Sequence, residues 1–263
     1  MVTVALVQVD LTTSDPTRPR QVQPVEVLIR EAAEDGAEFI VLPELWRTGP
    51  FELEATLGAA EPLTGPTAQA MAGLAAELGV WLHAGSMLEL DLTDGADRRF
   101  NTSLLFGPTG DLVATYRKRH LFGFDTGEAA LIDAGDEFVV VDTPLGRTGL
   151  ATCYDLRFPE HFRALVDAGA ESIVLTSGWP EVRIGHWTTL TAARAIEDQV
   201  NLLACNATGA SGQMRLGGSS AVIDPWGAVV AQAGNGPQTL LAHVAPTAPG
   251  RARTEFPVLR DRR

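Results

Sequence analysis

A thiol, a carboxylate and an ammonium brought to one point can hydrolyse an unactivated amide. The thiol supplies a better nucleophile than water, the carboxylate moves protons, and the ammonium faces the oxyanion as it forms. The sequence places one residue of each type at a break in its pattern. Cys153 closes the apolar run Gly149-Leu150-Ala151-Thr152 and precedes Tyr154-Asp155-Leu156-Arg157-Phe158, with Pro159 suited to a first helical turn. Strand ends that lead into helices are where α/β proteins expose functional groups. Cations and helix amides nearby would lower the thiol pKa there, although a free cysteine more often simply packs. Cys205, inside Leu202-Leu203-Ala204-Cys205-Asn206, takes the packing role.

Glu44 follows Phe39-Ile40-Val41-Leu42-Pro43, at the end of another apolar strand. An unpaired carboxylate buried there costs ~3 kcal/mol or more, so it must be paired, protonated or functional. Lys118 lies in Tyr116-Arg117-Lys118-Arg119-His120-Leu121-Phe122. A basic cluster is ordinarily a solvated face, but here an acidic chain concentrates cations. The five histidines, His83, His120, His161, His186 and His243, leave a Cys/His enzyme open. None shows the spacing of a zinc site. Ala151-Thr152-Cys153-Tyr154-Asp155 also lacks the flanking glycines of a nucleophile elbow, which disfavours a Cys-His-Glu glutaminase arrangement.

An internal repeat indicates what positions these residues. Gly36-Ala37-Glu38-Phe39-Ile40-Val41-Leu42 with Trp46 reappears as Gly169-Ala170-Glu171-Ser172-Ile173-Val174-Leu175 with Trp179. The run Leu105–Ala114 echoes Val222–Ala231, two apolar stretches around a Pro-x-Gly turn, each reading as a hairpin. The echoes are unequally spaced, as in a divergent duplication rather than a solenoid. In the repeat, Glu44 corresponds to Ser177, so the scaffold itself does not require an acid. Each half reads strand, helix, strand, helix, strand, hairpin. The first half assigns Val2–Val9, Val22–Glu34, Phe39–Leu42, Thr67–Leu78, Val80–Ser86 and Asn101–Tyr116. The second assigns Gly149–Cys153, Pro159–Ala168, Ser172–Thr176, His186–Gln199, Asn201–Cys205 and Gly218–Ala231. Strands apolar on both sides must be covered on both faces. The expected fold is therefore α/β, a four-layer α-β-β-α sandwich of two face-to-face sheets.

Composition narrows the function classes. Among 263 residues, 33 acidic against 20 basic give a net charge of −13, which repels a phosphate backbone and sets nucleic acid aside. With 45% hydrophobic and 20% charged residues the chain is long enough and apolar enough for a sizeable core. Two cysteines do not make a stapled domain, no run approaches the ~18 apolar residues of a membrane span, and the N-terminal apolar run is too short for a signal h-region. The expectation is a cytoplasmic protein with one domain over 1–245. The Pro- and Arg-rich tail 246–263 shows no period and reads as solvated or loosely docked.

Leu42-Pro43-Glu44-Leu45, Tyr116–Phe122 and Cys153-Tyr154-Asp155-Leu156-Arg157-Phe158-Pro159-Glu160 together resemble, in order and separation, the three signature segments of the nitrilase superfamily. The resemblance extends to Gly185-His186-Trp187, to Arg194–Gln199 and to Pro257–Arg263, and so covers nearly the whole chain. It implies the α-β-β-α fold, no metal or organic cofactor, and a homodimer, with the Arg-rich tail 246–263 available to cross to the partner. It adds Glu128, which stands before Leu131 and Gly135-Asp136, as a second glutamate, and the Tyr154 backbone N–H as an oxyanion donor. Trp179, Arg183 and His186-Trp187 follow the strand that repeats the Glu44 strand, so they should face the same pocket. A cation beside aromatic walls suits a small amide that carries a carboxylate. Together with Gly178-Trp179-Pro180, this resembles the ω-amidase branch, with 2-oxoglutaramate as the expected substrate. Nitrilase and N-carbamoyl amide hydrolase activities, and a non-catalytic binding protein on the same scaffold, are the competing readings.

Overall fold

The computed structural model describes residues 1–263 except Pro16, Val22, Asp94 and Asp125, and the side chain of Gln23. The first half runs β1 (Val2–Gln8), α1 (Gln23–Glu34), β2 (Phe39–Val41), a short α2 (Leu53–Thr56), α3 (Pro66–Leu78), β3 (Trp81–Asp91), β4 (Arg98–Phe106) and β5 (Leu112–Arg117). A turn of helix, α4 (Glu128–Leu131), and β6 (Val140–Thr143) lead to β7 (Gly146–Thr152), α5 (Pro159–Asp167), β8 (Ser172–Ser177), α6 (Ile184–Asp198) and β9 (Asn201–Asn206). The chain ends with the hairpin β10 (Thr208–Ser211) and β11 (Met214–Gly217), then β12 (Ala221–Ile223), β13 (Val229–Gln232), β14 (Gln238–Val244) and α7 (Ala248–Glu255). The expected helix start at Val22 lies outside the described residues.

The helices form where their apolar residues fall on one face. Val25, Ile29 and Ala32 repeat at helical spacing in α1 and are buried. In α3 Pro66 opens the first turn and Gly79, at φ +65°, closes the last in the left-handed conformation. Every residue of β8 is buried, as a parallel strand covered on both faces requires.

Two six-stranded sheets result, ordered β14-β1-β2-β3-β4-β5 and β13-β12-β9-β8-β7-β6. The central pairs β1-β2-β3 and β7-β8-β9 are parallel, and their flanks antiparallel. Val4, Leu6 and Val41 meet Leu150, Val174, Leu203 and Cys205 between the sheets. The outer faces bury residues of α1 and α3 on one side and of α5 and α6 on the other. This is the expected four-layer sandwich. The duplication persists in detail: the β4-β5 and β12-β13 hairpins shift register at equivalent places, Leu105/Phe106 and Val222/Ile223. Their turn glycines, Gly110 and Gly227, sit at φ +83° and +80°.

Three features depart from expectation. β3 continues to Asp91, beyond Ser86, because β4 pairs with it along that length. β6, β10, β11 and β14 are additional strands; β14 crosses from the second half to pair with β1. The tail is anchored rather than loosely docked, while 254–256 and 260–263 stay exposed. Ala252 of α7 is fully buried, Arg253 donates to the Ala170 carbonyl at 2.7 Å, Gln199 donates to the Phe256 carbonyl at 2.7 Å, and Arg262 pairs with Asp167 at 2.7 Å. Beside the buried Pro249 and Ala252, the contacts are polar, so a search for apolar periodicity does not reveal them.

Candidate active site

Cys153 begins a 3-10 turn, Cys153–Arg157, directly after β7. Its backbone sits at φ +44°, a left-handed conformation that costs a non-glycine residue about 1–3 kcal/mol. The surroundings enforce it: Thr152 and Asp155 cap one another, with Thr152 N–H donating to Asp155 Oδ2 at 2.9 Å. Asp155, fully buried, also accepts from Tyr116 Oη at 2.6 Å and from the His120 backbone N–H at 3.1 Å. Tyr116 and His120 flank Lys118, so one carboxylate ties the cysteine turn to the lysine segment.

Lys118 is 1% exposed, and its Nζ lies 2.7 Å from Glu44 Oε1 and 2.6 Å from Glu128 Oε2. Burial alone works against its charge, but Glu128 and Glu44 outweigh burial and hold the ammonium well above the usual lysine range. Glu44 lies past the end of β2, where Leu45 turns at φ +43° and donates its N–H to Ser86 Oγ at 3.0 Å. Glu44 Oε2 accepts the Gly178 N–H at 2.9 Å. Glu128, the first residue of α4, also accepts the Phe122 N–H at 2.8 Å. Burial and the charge of Glu44 push the Glu128 carboxyl upward against Lys118.

One narrow pocket is lined by Glu44, Lys118, Glu128 and Cys153 together with Tyr154, Trp179 and Arg183. All seven sequence candidates therefore meet in one place. Asn101, Arg157, Phe51 and Phe122 were missed. Asn101 donates to both glutamates, at 2.9 Å to Glu44 Oε1 and 2.8 Å to Glu128 Oε1. Only its place in β4, pairing toward the lysine strand, could have marked it. Arg157 lies within the cysteine signature segment, where its type alone marks no role; its guanidinium sits 4.7 Å from the Trp179 ring centroid and donates to His186 Nδ1 at 3.2 Å. Burial and then the neighbouring Arg183 charge lower the Arg157 pKa. Among the described residues neither arginine pairs with a carboxylate. Phe51 and Phe122 meet edge to face at 5.9 Å across the same pocket.

Two expectations are corrected. The thiol is not acidified: burial and then Glu44 push Cys153 upward, and Lys118 opposes them only in part. Trp187 does not wall the pocket; it packs behind Trp179 at 5.7 Å and donates its Nε1 to the Ser219 carbonyl at 2.9 Å. No histidine lines the pocket, which removes the geometry that a Cys/His enzyme needs. His120, Asp155 and His161 bring possible metal ligands within 4.8 Å of one another. The Asp155 oxygens are already engaged by Thr152, Tyr116 and His120, so that carboxylate acts within the scaffold.

A buried cysteine on a strained turn, flanked by two carboxylates that share one lysine inside an α-β-β-α sandwich, defines a carbon-nitrogen hydrolase of the nitrilase type. Residues 3–253 match the carbon-nitrogen hydrolase family, and the chain belongs to it. A 2-oxoglutaramate amidase of Paenarthrobacter nicotinovorans is 43% identical over 231 residues, covering 86% of this chain and 79% of that protein. The deaminated glutathione amidase of Homo sapiens is 35% identical over 268 residues, covering 98% of this chain and 82% of that one. The structure of Saccharomyces cerevisiae Nit3, a nitrilase-superfamily member, superposes with a TM-score of 0.86 at 27% identity, covering 100% of this chain and 96% of the other.

Proposed function

We propose that this chain is an ω-amidase that hydrolyses the terminal amide of a short 2-oxo acid, 2-oxoglutaramate being the best fit, through a thioester on Cys153. The observation that carries the reading is the lining of one pocket: Cys153 with Glu44 and Lys118, and in the same cavity Arg157 over Trp179 and Arg183 over Phe122. Two guanidinium groups without a carboxylate partner favour an anionic substrate, and the aromatic walls shed water from a small one. A relative named as a 2-oxoglutaramate amidase supports the same substrate class.

Burial and the Glu44 charge push the Cys153 thiol upward, so the chemistry begins with general-base catalysis. Glu44 takes the Sγ proton as sulfur attacks the amide carbon. The tetrahedral oxyanion is met by the Lys118 ammonium and the Tyr154 N–H, which lies in the first turn of the 3-10 segment, where amides lack an intrahelical acceptor. Glu44 passes its proton to nitrogen, the C–N bond breaks and ammonia leaves. Glu44 then removes a proton from water, hydroxide attacks the thioester carbon, and collapse expels sulfur, which regains the proton from Glu44. Glu128 anchors Lys118 throughout.

A homodimer in a reducing cytoplasm belongs to this reading, since the resemblance implies the dimer and a working thiol must stay reduced. No helix among the described residues is long and apolar enough to cross a membrane. A C-terminal crossing to the partner would use Arg251, Arg260 or Arg263, because Arg253 and Arg262 bond within the chain. Light scattering at micromolar concentration should give twice the chain mass.

The substrate test compares kcat/KM for 2-oxoglutaramate, its analogue lacking the carboxylate, deaminated glutathione, a nitrile and an N-carbamoyl compound, with Cys153→Ala as the blank. 2-Oxoglutaramate should lead, and Arg183→Ala should abolish its lead over the uncharged analogue. Equal rates for charged and uncharged amides would contradict the carboxylate reading.

A further inference from the structure

The two carboxylates at the site share more than Lys118. Asn101 projects from β4, is wholly buried, and sends both hydrogens of one amide group outward, to Glu44 Oε1 at 2.9 Å and Glu128 Oε1 at 2.8 Å. Its backbone carbonyl accepts the Lys118 N–H at 2.9 Å, so one residue fixes the lysine segment and both acids. The Asn101 Oδ1 atom is buried without a hydrogen-bond partner. Buried amides normally satisfy both ends, and an unmet acceptor costs about 1–3 kcal/mol. The reverse amide orientation would aim that oxygen at two carboxylates, so the assignment of donor and acceptor follows from charge.

We propose that Asn101 is a positioning residue that keeps Glu44 and Glu128 ionised side by side, holding Glu44 able to accept the thiol proton while Glu128 stays on Lys118. This rests on the Glu-Lys-Cys reading above and extends it to a residue outside the signature segments. Two carboxylates around one ammonium leave one negative charge uncompensated in a buried place, where like charges resist joint ionisation. A second cation would neutralise the base. A neutral double donor favours the charged form of both acids without doing so.

The charged groups gathered at Asn101 are Glu44 from the loop after β2 and Glu128 from α4, each bonded to its amide, and Lys118 just past β5, whose ammonium bridges the two acids. On β3 the residue opposite is Leu88, which does not titrate. Hydrogen bonds to an ionised carboxylate favour its charged form, so losing them moves the acid limb of the activity profile upward.

The test uses the full chain with Asn101→Ala and Asn101→Leu, the latter keeping the shape and lacking both donors. With 2-oxoglutaramate, kcat/KM at neutral pH should fall about tenfold or more, the loss should appear in kcat rather than KM, and the acid limb should move up by about one pH unit. Thermal midpoint and circular dichroism report folding in parallel. Reduced activity with an unmoved acid limb, or failure of both variants to fold, would assign Asn101 a purely structural role and overturn the proposal. Parental enzyme that releases no ammonia, or Cys153→Ala that still does, would instead remove the Glu-Lys-Cys reading.

Discussion

The backbone N–H of Gly178 donates to Glu44 Oε2 at 2.9 Å, so the two halves of the duplicated chain meet at the carboxylate. In the repeat, Ser177 is the counterpart of Glu44, and its carbonyl accepts the Glu44 N–H at 3.4 Å. Equivalent strand ends thus face each other across the two sheets, and one half supplies the acid while the other supplies the amide that orients it.

Glu44→Gln should lower kcat by ~10² or more with little change in KM, because the isosteric amide fills the place but cannot shuttle a proton. Steady-state kinetics on protein of unchanged circular dichroism checks this; near-parental turnover would remove Glu44 from the chemistry.

Lys118→Ala removes the charge that two buried carboxylates share. A comparable loss of kcat should come with about 3–5 kcal/mol of destabilisation. Urea unfolding separates the two effects, and a variant as stable as the parent would contradict the buried network.

Alkylation should label Cys153 and spare Cys205, whose thiol contacts the Val7 and Val41 carbonyls between the sheets. Since burial and Glu44 raise the Cys153 pKa, the inactivation rate should climb with pH beyond 8 rather than level off near neutrality. Glu44→Gln should speed labelling at a given pH by removing the negative neighbour. Peptide mass mapping after timed iodoacetamide treatment reads both, and a plateau below pH 7 would show a preformed thiolate.

How much of this could be read in the sequence depended on the kind of signal. The sandwich was legible because strands such as Ile173-Val174-Leu175 repeat an earlier strand and are apolar on both faces. Glu44 and Cys153 were legible because each closes an apolar strand, whereas Lys118 stood out only through the resemblance of its segment, in order with the other two, to the family signature. Asn101 was not, since an asparagine in a strand carries no spacing signal and its role exists only once Glu44 and Glu128 converge. The thiol direction was misread for a similar reason: motif order shows a lysine nearby but not how deeply the group is buried. α7 stayed hidden because only Pro249 and Ala252 are buried in it, too few for an apolar stripe, and the rest of its docking is through Arg253 and the Phe256 carbonyl that Gln199 reaches.

Asp198, at the end of α6, is wholly buried, and burial lifts its carboxyl to about 7 against the pull of Arg163 at 3.1 Å. A folded-state pKa above the unfolded value means its contribution is fully present below about pH 4 and is lost as pH rises through 7. Asp198→Asn should therefore raise the thermal midpoint at pH 8 and flatten its decline between pH 4 and 7. Differential scanning calorimetry across that range checks the slope; an unchanged profile would place the titration elsewhere.

The central claim is a covalent thioester on Cys153, and rapid-quench mass spectrometry with 2-oxoglutaramate tests it most directly. A thioester mechanism gives a burst of ammonia of up to one equivalent and an acyl adduct that appears and decays at the turnover rate, located on the peptide containing Cys153. Ammonia release with no adduct at any time, together with retained activity in Cys153→Ala, would contradict it.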